Sequence, residues 1–215
     1  MCWSSGKDSA LALHELKRTG FDVVGLLTTV TEGYDRISMH GVRRELLKAQ
    51  VESISLPLAE VWISRDASED SYRREMRSVL ESYVRQGVLA AAFGDVFLAD
   101  IRAYRERNLA QVGMQALFPL WQQDTRQLAL RFVELGFEAI VTCVDTCQLD
   151  ASFAGRHYDR AFLADLPEGV DPCGENGEFH TFVYAGPVFS QPLAVAAGQT
   201  VLRDNRFMFC EVTPA

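Results

Sequence analysis

The sequence predicts an α/β protein, a doubly wound parallel sheet followed by a smaller α+β domain. Three observations carry this. Apolar runs of strand type alternate with amphipathic helices through the first 118 residues. Those runs are continuous rather than alternating, as expected of strands covered on both faces. The rhythm then breaks at Phe118, Pro119, Leu120 and Trp121, which sets a boundary between residues 1–118 and 119–215.

Taken in order, the apolar lead Met1, Cys2 and Trp3 runs into the small-residue stretch Ser4 to Ser9 and then a helix closed by Lys17, Arg18 and Gly20. Three residues are short for a central strand, so either that strand is short here or the amino end lies upstream. Phe21 to Thr28 reads as a strand, Thr29 to Ile37 as a polar loop, and Ser38 as the cap of a helix from Met39 to Ser53. Leu58 to Ser64 is a third strand. Asp66 and Glu69 form a capping box for a long helix striped by Tyr72, Met76, Val79, Leu80 and Tyr83 and ended by Gly87. Val88 to Phe93 is a buried strand, Asp100 to Ala110 a helix, and Ala116 to Phe118 a weak strand.

Beyond the boundary, Asp124 and Gln127 cap a helix that Gly136 ends, and Glu138 to Val144 is a strand. A helix lies near His157 to Leu166, and strands cover Phe179 to Tyr184, Gln199 to Arg203 and Arg206 to Val212.

Composition narrows the function. With 29 acidic against 21 basic residues the chain has a net charge of −8, so it carries no global field to draw in nucleic acid. No apolar run is long enough to span a bilayer. Five cysteines without Cys-x-x-Cys spacing and without a signal peptide before them predict a reduced, cytoplasmic compartment. The sequence is compatible with a homodimer and does not define one.

Two stretches carry chemistry. Ser4, Ser5, Gly6, Lys7, Asp8 and Ser9 lie between a strand end and a helix start, where unpaired N–H groups and the helix dipole attract phosphate. The Walker loop and the G-x-G-x-x-G fingerprint are both excluded, because Gly6 stands alone and Asp8 follows Lys7. Asp8 beside phosphate requires either a bridging Mg²⁺ or a helix-capping role. In a parallel sheet this stretch, the loop from Thr28 to His40 and the Gly94-Asp95 turn open on one crevice beyond the strand ends. The second stretch, Cys173 to Phe182, gathers Glu175, Glu178 and His180 just before a strand. It can serve acid–base chemistry or be a solvated hairpin.

SSGKDS resembles the PP-loop, S-x-G-x-D-S, of the ATP pyrophosphatase superfamily, whose members cleave ATP between the α and β phosphates. With MHGVR at Met39 to Arg43, FGDVFLADIRAYRERN at Phe93 to Asn108, FPLW at Phe118 to Trp121 and DPCGENGEFHTF at Asp171 to Phe182, the chain resembles the diphthine ammonia ligase family over nearly its whole length. Asp95 stands where eukaryotic members tend to have alanine.

The resemblance implies a HUP-type nucleotide-binding domain over 1–118 and a family-specific substrate domain over 119–215. It implies an ATP-dependent, AMP-forming ligase that adenylates a carboxylate and transfers ammonia. The carboxylate is a small molecule or is borne on a protein such as elongation factor 2, the partner of the eukaryotic and archaeal members. ATP and Mg²⁺ are the implied cofactors. Ser4, Ser5, Gly6, Lys7, Ser9, His40 and Gly94 are expected to bind nucleotide, with Asp8 as the metal link. Asp95, Arg102, Tyr104 and Glu106 are expected to bind substrate. Lys7, Asp8, Glu175, Glu178 and His180 are expected to do the chemistry. The alternative of another class is an ATP- or AMP-binding HUP sensor without chemistry, which has no use for clustered carboxylates beside a phosphate loop.

Overall fold

The computed structural model describes residues 1–31, 36–37, 41–64 and 66–215. Its elements are α1 (Lys7–Arg18), β1 (Leu26–Thr31), β2 (Arg36–Ile37), α2 (Arg44–Ile54), β3 (Leu58–Ile63), α3 (Glu69–Arg85), β4 (Ala90–Ala92), α4 (Ala99–Ala110), β5 (Gln115–Leu117), α5 (Thr125–Glu134), β6 (Glu138–Asp145), α6 (Arg160–Asp165), β7 (Phe179–Ala185), β8 (Val195–Arg203) and β9 (Phe207–Pro214).

The first half is the expected parallel α/β layer. β1 pairs with β3 and β4 with β5, both parallel, and β2 returns antiparallel along the far end of β1. Residues 1–3 join the two pairs. Cys2 bridges Leu27 in parallel, Trp3 N–H donates to Leu27 at 2.7 Å, and Cys2 N–H donates to Ala92 at 2.9 Å. The short amino-terminal segment is therefore the central rung between β1 and β4, and the loop after it opens at the point where strand order reverses.

The second half is a four-stranded antiparallel sheet in the order β7-β6-β9-β8. Its core is not separate. One buried cluster runs from Trp3, Leu13 and Leu46 through Phe132, Ile140 and Phe182, so residues on both sides of Phe118 pack together. Polar ties repeat the union. Buried Glu15 of α1 pairs with Arg131 of α5, and Ser53 Oγ at the end of α2 donates to Gln191 at 2.6 Å.

Several boundaries differ from the sequence reading. The strand expected over Phe21 to Thr28 begins only at Leu26, and Phe21 and Val24 stay about half exposed, because the neighbouring strands reach no further back. The helix expected from Met39 begins at Arg44. Ser38 and Met39 lie outside the described residues, and Gly41 is left-handed, φ 66°, which no helix continues. The long helix is capped by Ser68, whose hydroxyl accepts from Ser71 N–H at 3.2 Å, rather than by an Asp66 box. The strand expected over Val88 to Phe93 shrinks to Ala90–Ala92 and leaves Leu89 78% exposed. The Asp124 cap forms as expected, its carboxylate accepting from Gln127 N–H at 2.8 Å.

At the end of β6, Asp145 is buried and accepts from Arg206 at 2.9 and 2.6 Å, from Gln148 Nε2 at 2.9 Å and from Cys147 N–H at 3.1 Å. These donors, Arg206 first, hold its carboxyl well below the usual carboxylate range. A carboxyl so depressed contributes stability above its unfolded pKa, and that contribution is lost in acid. Asp145→Asn should therefore lower stability at neutral pH by about 1–3 kcal/mol. The gap should begin to narrow below about pH 4 and go on shrinking as urea titrations are run at lower pH. A gap that is constant with pH would contradict this assignment.

Candidate active site

The loop between residue 3 and α1 is built on an unfavourable backbone. Ser5 is left-handed at φ 68°, a conformation that costs a serine about 1–3 kcal/mol and persists only where neighbours over-determine it. They do so here. Its carbonyl accepts from Val183 N–H of β7 at 3.0 Å and from Gln50 Nε2 of α2 at 3.1 Å. Two residues on, Lys7 N–H donates to Thr181 Oγ1 of β7 at 3.1 Å. The Ser5 hydroxyl is fully buried and has no hydrogen-bond partner among the described residues. An orphaned buried hydroxyl is costly unless something completes it. The oxygens of a phosphate would do so, which fits the group the loop is expected to hold.

The other hydroxyls close the loop on itself. Ser4 Oγ donates to Ser9 Oγ at 3.2 Å and accepts from Gly6 N–H at 3.4 Å, while Ser9 Oγ donates to the Gly6 carbonyl at 2.8 Å. Gly6 is the N-cap of α1, with no side-chain cap, so Asp8 does not cap the helix. Instead both Asp8 oxygens meet the Lys7 ammonium, at 2.9 and 2.7 Å.

Lys7 is buried and also donates to the Cys173 carbonyl, which ties the phosphate loop to the Asp171–Phe182 loop. The rings of Phe179 and Tyr158 lie 5.6 and 6.0 Å from its nitrogen. Burial works against the ammonium, but Asp8, with Glu175 further off, holds its pKa above the ordinary value. Burial likewise raises Asp8, against the pull of Lys7.

Gly94 fits against this loop because it lacks a side chain. A Cβ there would meet the Asp8 carbonyl carbon at 2.7 Å and the Ser9 nitrogen at 3.0 Å, so the Gly94-Asp95 turn lies directly on the first turn of α1. One residue on, Val96 N–H donates to Glu175 Oε2 at 3.0 Å. Glu175 thus reaches from the second half onto the rim of the first. Burial and the Asp8 charge push its carboxyl up to about 7.

The remaining expected residues separate into two groups. Glu178 is 2% exposed and spends its oxygens inside its own loop, accepting from Asp171 N–H at 3.0 Å, Asn176 N–H at 2.9 Å and Asn176 Nδ2 at 3.0 Å. It shapes the loop instead of facing the crevice, unlike the acid–base partner expected from sequence. His180, on β7, is pushed down to about 4 by burial and then by Lys7, so it is neutral at physiological pH.

Asp95 is paired with Arg105 at 2.8 Å, and Arg105 covers the Phe93 ring. Arg102 pairs with Glu106 at 2.7 Å and lies over the Trp121 and Phe118 rings at 4.6 and 5.0 Å, while Tyr104 faces Arg73. The structure thus brings Ser4 to Ser9, Gly94, Asp95 and Glu175 together. It places Arg102 and Glu106 further out along α4. His40 lies outside the described residues.

Four contributors were missed in the sequence. Asp171, whose Oδ2 accepts from Glu175 N–H at 2.9 Å, and Thr181 stand inside the DPCGENGEFHTF motif and could have been read from it. Val96 acts only through its backbone. Gln50 had a faint signal, an amide standing four residues from Leu46 and from Ile54 on the buried side of α2.

Among the described residues, no three His, Cys, Asp or Glu side chains group closely enough to hold a metal. A Mg²⁺ carried in on phosphates would need only one or two carboxylates from protein, and the one in this loop, Asp8, meets Lys7 with both oxygens. No helix among the described residues is long and apolar enough to cross a membrane.

Comparison with known proteins shows which family the chain resembles. The diphthamide synthase N-terminal domain family matches residues 1–116, and the diphthamide synthase C-terminal domain family matches residues 124–212. The chain is 27% identical to the diphthine–ammonia ligase of Danio rerio over 235 residues, covering 94% of this chain and 88% of that protein. It is 24% identical to the diphthine–ammonia ligase of Homo sapiens, covering 94% and 84%. The relative from Schizosaccharomyces pombe, 26% identical, is longer, and the match covers 92% of this chain and 36% of that one. Among solved structures, a predicted subunit of tRNA methyltransferase from Methanocaldococcus jannaschii matches with a TM-score of 0.44 and 17% identity, covering 85% of this chain and 94% of that one. With both family domains matched in order and nearly end to end, the chain belongs to the diphthamide synthase family.

Proposed function

We propose that this chain is an ATP-dependent, AMP-forming amide ligase of the diphthine–ammonia ligase type, working where ATP, Mg²⁺ and ammonia are at hand in the cytoplasm. Residues 1–118 form the nucleotide half and 119–215 the substrate half. Its relatives are named diphthine–ammonia ligases, which supports a substrate carboxylate borne on a protein, with elongation factor 2 as the first candidate.

The observation that carries the reading is the fully buried Ser5 hydroxyl, unpartnered among the described residues, in a strained loop whose lysine is also buried. A carboxylate does not exchange oxygen for ammonia unaided; bound ATP supplies the adenylyl group that makes it a good acylating agent. Ser5, the α1 amino end and Lys7 would hold the departing pyrophosphate, and Asp8 is the residue that would hold Mg²⁺, which would spread the remaining charge. Lys7 must then exchange its Cys173 carbonyl for a phosphate oxygen.

Across the crevice, Glu175 is poised to take a proton from ammonium or from attacking ammonia, since its pKa of about 7 lies at the working pH. Neutral His180 adds no positive charge to compete for pyrophosphate. Glu178 acts by holding the loop that carries Glu175. A sensor without chemistry is disfavoured by Glu175, a half-buried carboxylate beside the phosphate loop that makes no salt bridge among the described residues.

Two outcomes follow. Lys7→Ala should lower pyrophosphate release from ATP by about 100-fold, the order expected for losing a charge contact to the transition state. Release at the wild-type rate would contradict the assignment. Glu175→Gln keeps the Val96 hydrogen bond and should cut amide formation by about 10²–10⁴-fold while ATP still binds. Its pKa is raised, so the stability Glu175 contributes is full below its unfolded pKa and is lost as pH rises through 7. Glu175→Gln should therefore melt higher than wild type above pH 7, with the advantage disappearing near pH 4.5. An advantage independent of pH would contradict the raised pKa.

A further inference from the structure

Gln50 is buried completely, at 0% exposure, on the inner side of α2, yet it touches three separate elements. Its Oε1 accepts from the Trp3 indole N–H at 3.0 Å. Its Nε2 donates to the Ser5 carbonyl at 3.1 Å and to the Val183 carbonyl at 2.5 Å. The chemistry fixes which way the amide points. An indole nitrogen only donates and a carbonyl only accepts, so oxygen must face Trp3 and nitrogen must face the two carbonyls. Every one of these contacts is satisfied by this single orientation.

Core packing alone does not call for such a residue, since a buried amide is costly where a leucine would fill the space freely. What Gln50 adds is a bond to the carbonyl of the one loop residue with left-handed backbone. The peptide following Ser5 is pinned from α2 and, through Val183 N–H, from β7. We propose that Gln50 is a positioning residue of the phosphate site. It holds Ser5 in its left-handed conformation, so that the Ser5 hydroxyl and the amides opening α1 keep the geometry that receives phosphate. The proposal rests on the reading of residues 4–9 as that site.

The test is calorimetric titration of the full chain with ATP in the presence of Mg²⁺, with melting temperature recorded on each sample. Gln50→Glu can still accept from Trp3 but offers no hydrogen to the two carbonyls until it takes up a proton, which burial favours as pH falls. Relative to wild type at the same pH, its affinity for ATP should drop at least about tenfold near pH 8 and recover at least about threefold near pH 5.5. A role in stability alone would lower the melting temperature and leave that affinity ratio unchanged with pH. Trp3→Phe keeps the core ring and removes only the bond that orients the amide; it should weaken ATP binding about three- to tenfold.

Folded Gln50→Glu and Trp3→Phe proteins that bind ATP as wild type does would overturn the proposal. If Gln50→Glu does not fold, Trp3→Phe with wild-type affinity overturns it alone. Wild-type protein that binds no ATP would instead remove the phosphate-site reading on which the proposal stands.

Discussion

The structure depends on holding one serine in a backbone conformation that serines avoid. Ser5 cannot keep φ 68° by itself, and the loop around it is too short to impose it. The restraint comes from elements remote in sequence, α2 through Gln50 and β7 through Val183 and Thr181. This explains why the two halves share a core. A phosphate loop braced by the second sheet must be docked firmly onto that sheet, and the cluster running from Trp3 to Phe182, together with the Glu15–Arg131 pair, provides the docking.

The same docking sets the charges. Lys7 is buried and Asp8 and Glu175 are half-buried beside it, where burial and then the Asp8 charge raise Glu175, and both carboxylates hold the lysine up against its burial. The sum of one cation and two acids repels polyphosphate unless protons or metal ions offset it, which is why Mg²⁺ and the near-neutral pKa of Glu175 belong together in the proposed chemistry. The Cys173 carbonyl on Lys7 occupies a donor direction that a phosphate oxygen would need. In the proposed chemistry, nucleotide and the 171–178 loop would therefore compete for one ammonium.

What the sequence revealed was local. The Asp124 cap, β3 and β6 depend on residues a few positions apart, and their pattern sufficed. The run Phe21 to Thr28 misled because apolarity says a strand can be buried and not that a neighbour is present to bury it, and Phe21 and Val24 have none. Ser68 and Asp66 are both good caps two residues apart, so propensity could not choose between them. The candidate site divides in the same way. The phosphate loop and Glu175 were legible as motifs, and Gly94 as the small residue of a tight turn. Glu178 was legible as an acid–base candidate of its motif but not as a brace, because its partners are the amides of its own loop. Gln50 was nearly invisible, since its meaning lies in a carbonyl 133 residues away.

The central claim is that this loop receives the pyrophosphate end of ATP while the second half presents a carboxylate to the α-phosphorus. The most direct measurement is the identity of the products when the protein turns over ATP with Mg²⁺, ammonium and elongation factor 2 bearing diphthine. The account predicts AMP and pyrophosphate in equal amounts, with one amide formed for each ATP consumed. ADP and inorganic phosphate as products would contradict it, because cleavage would then fall between the β and γ phosphates.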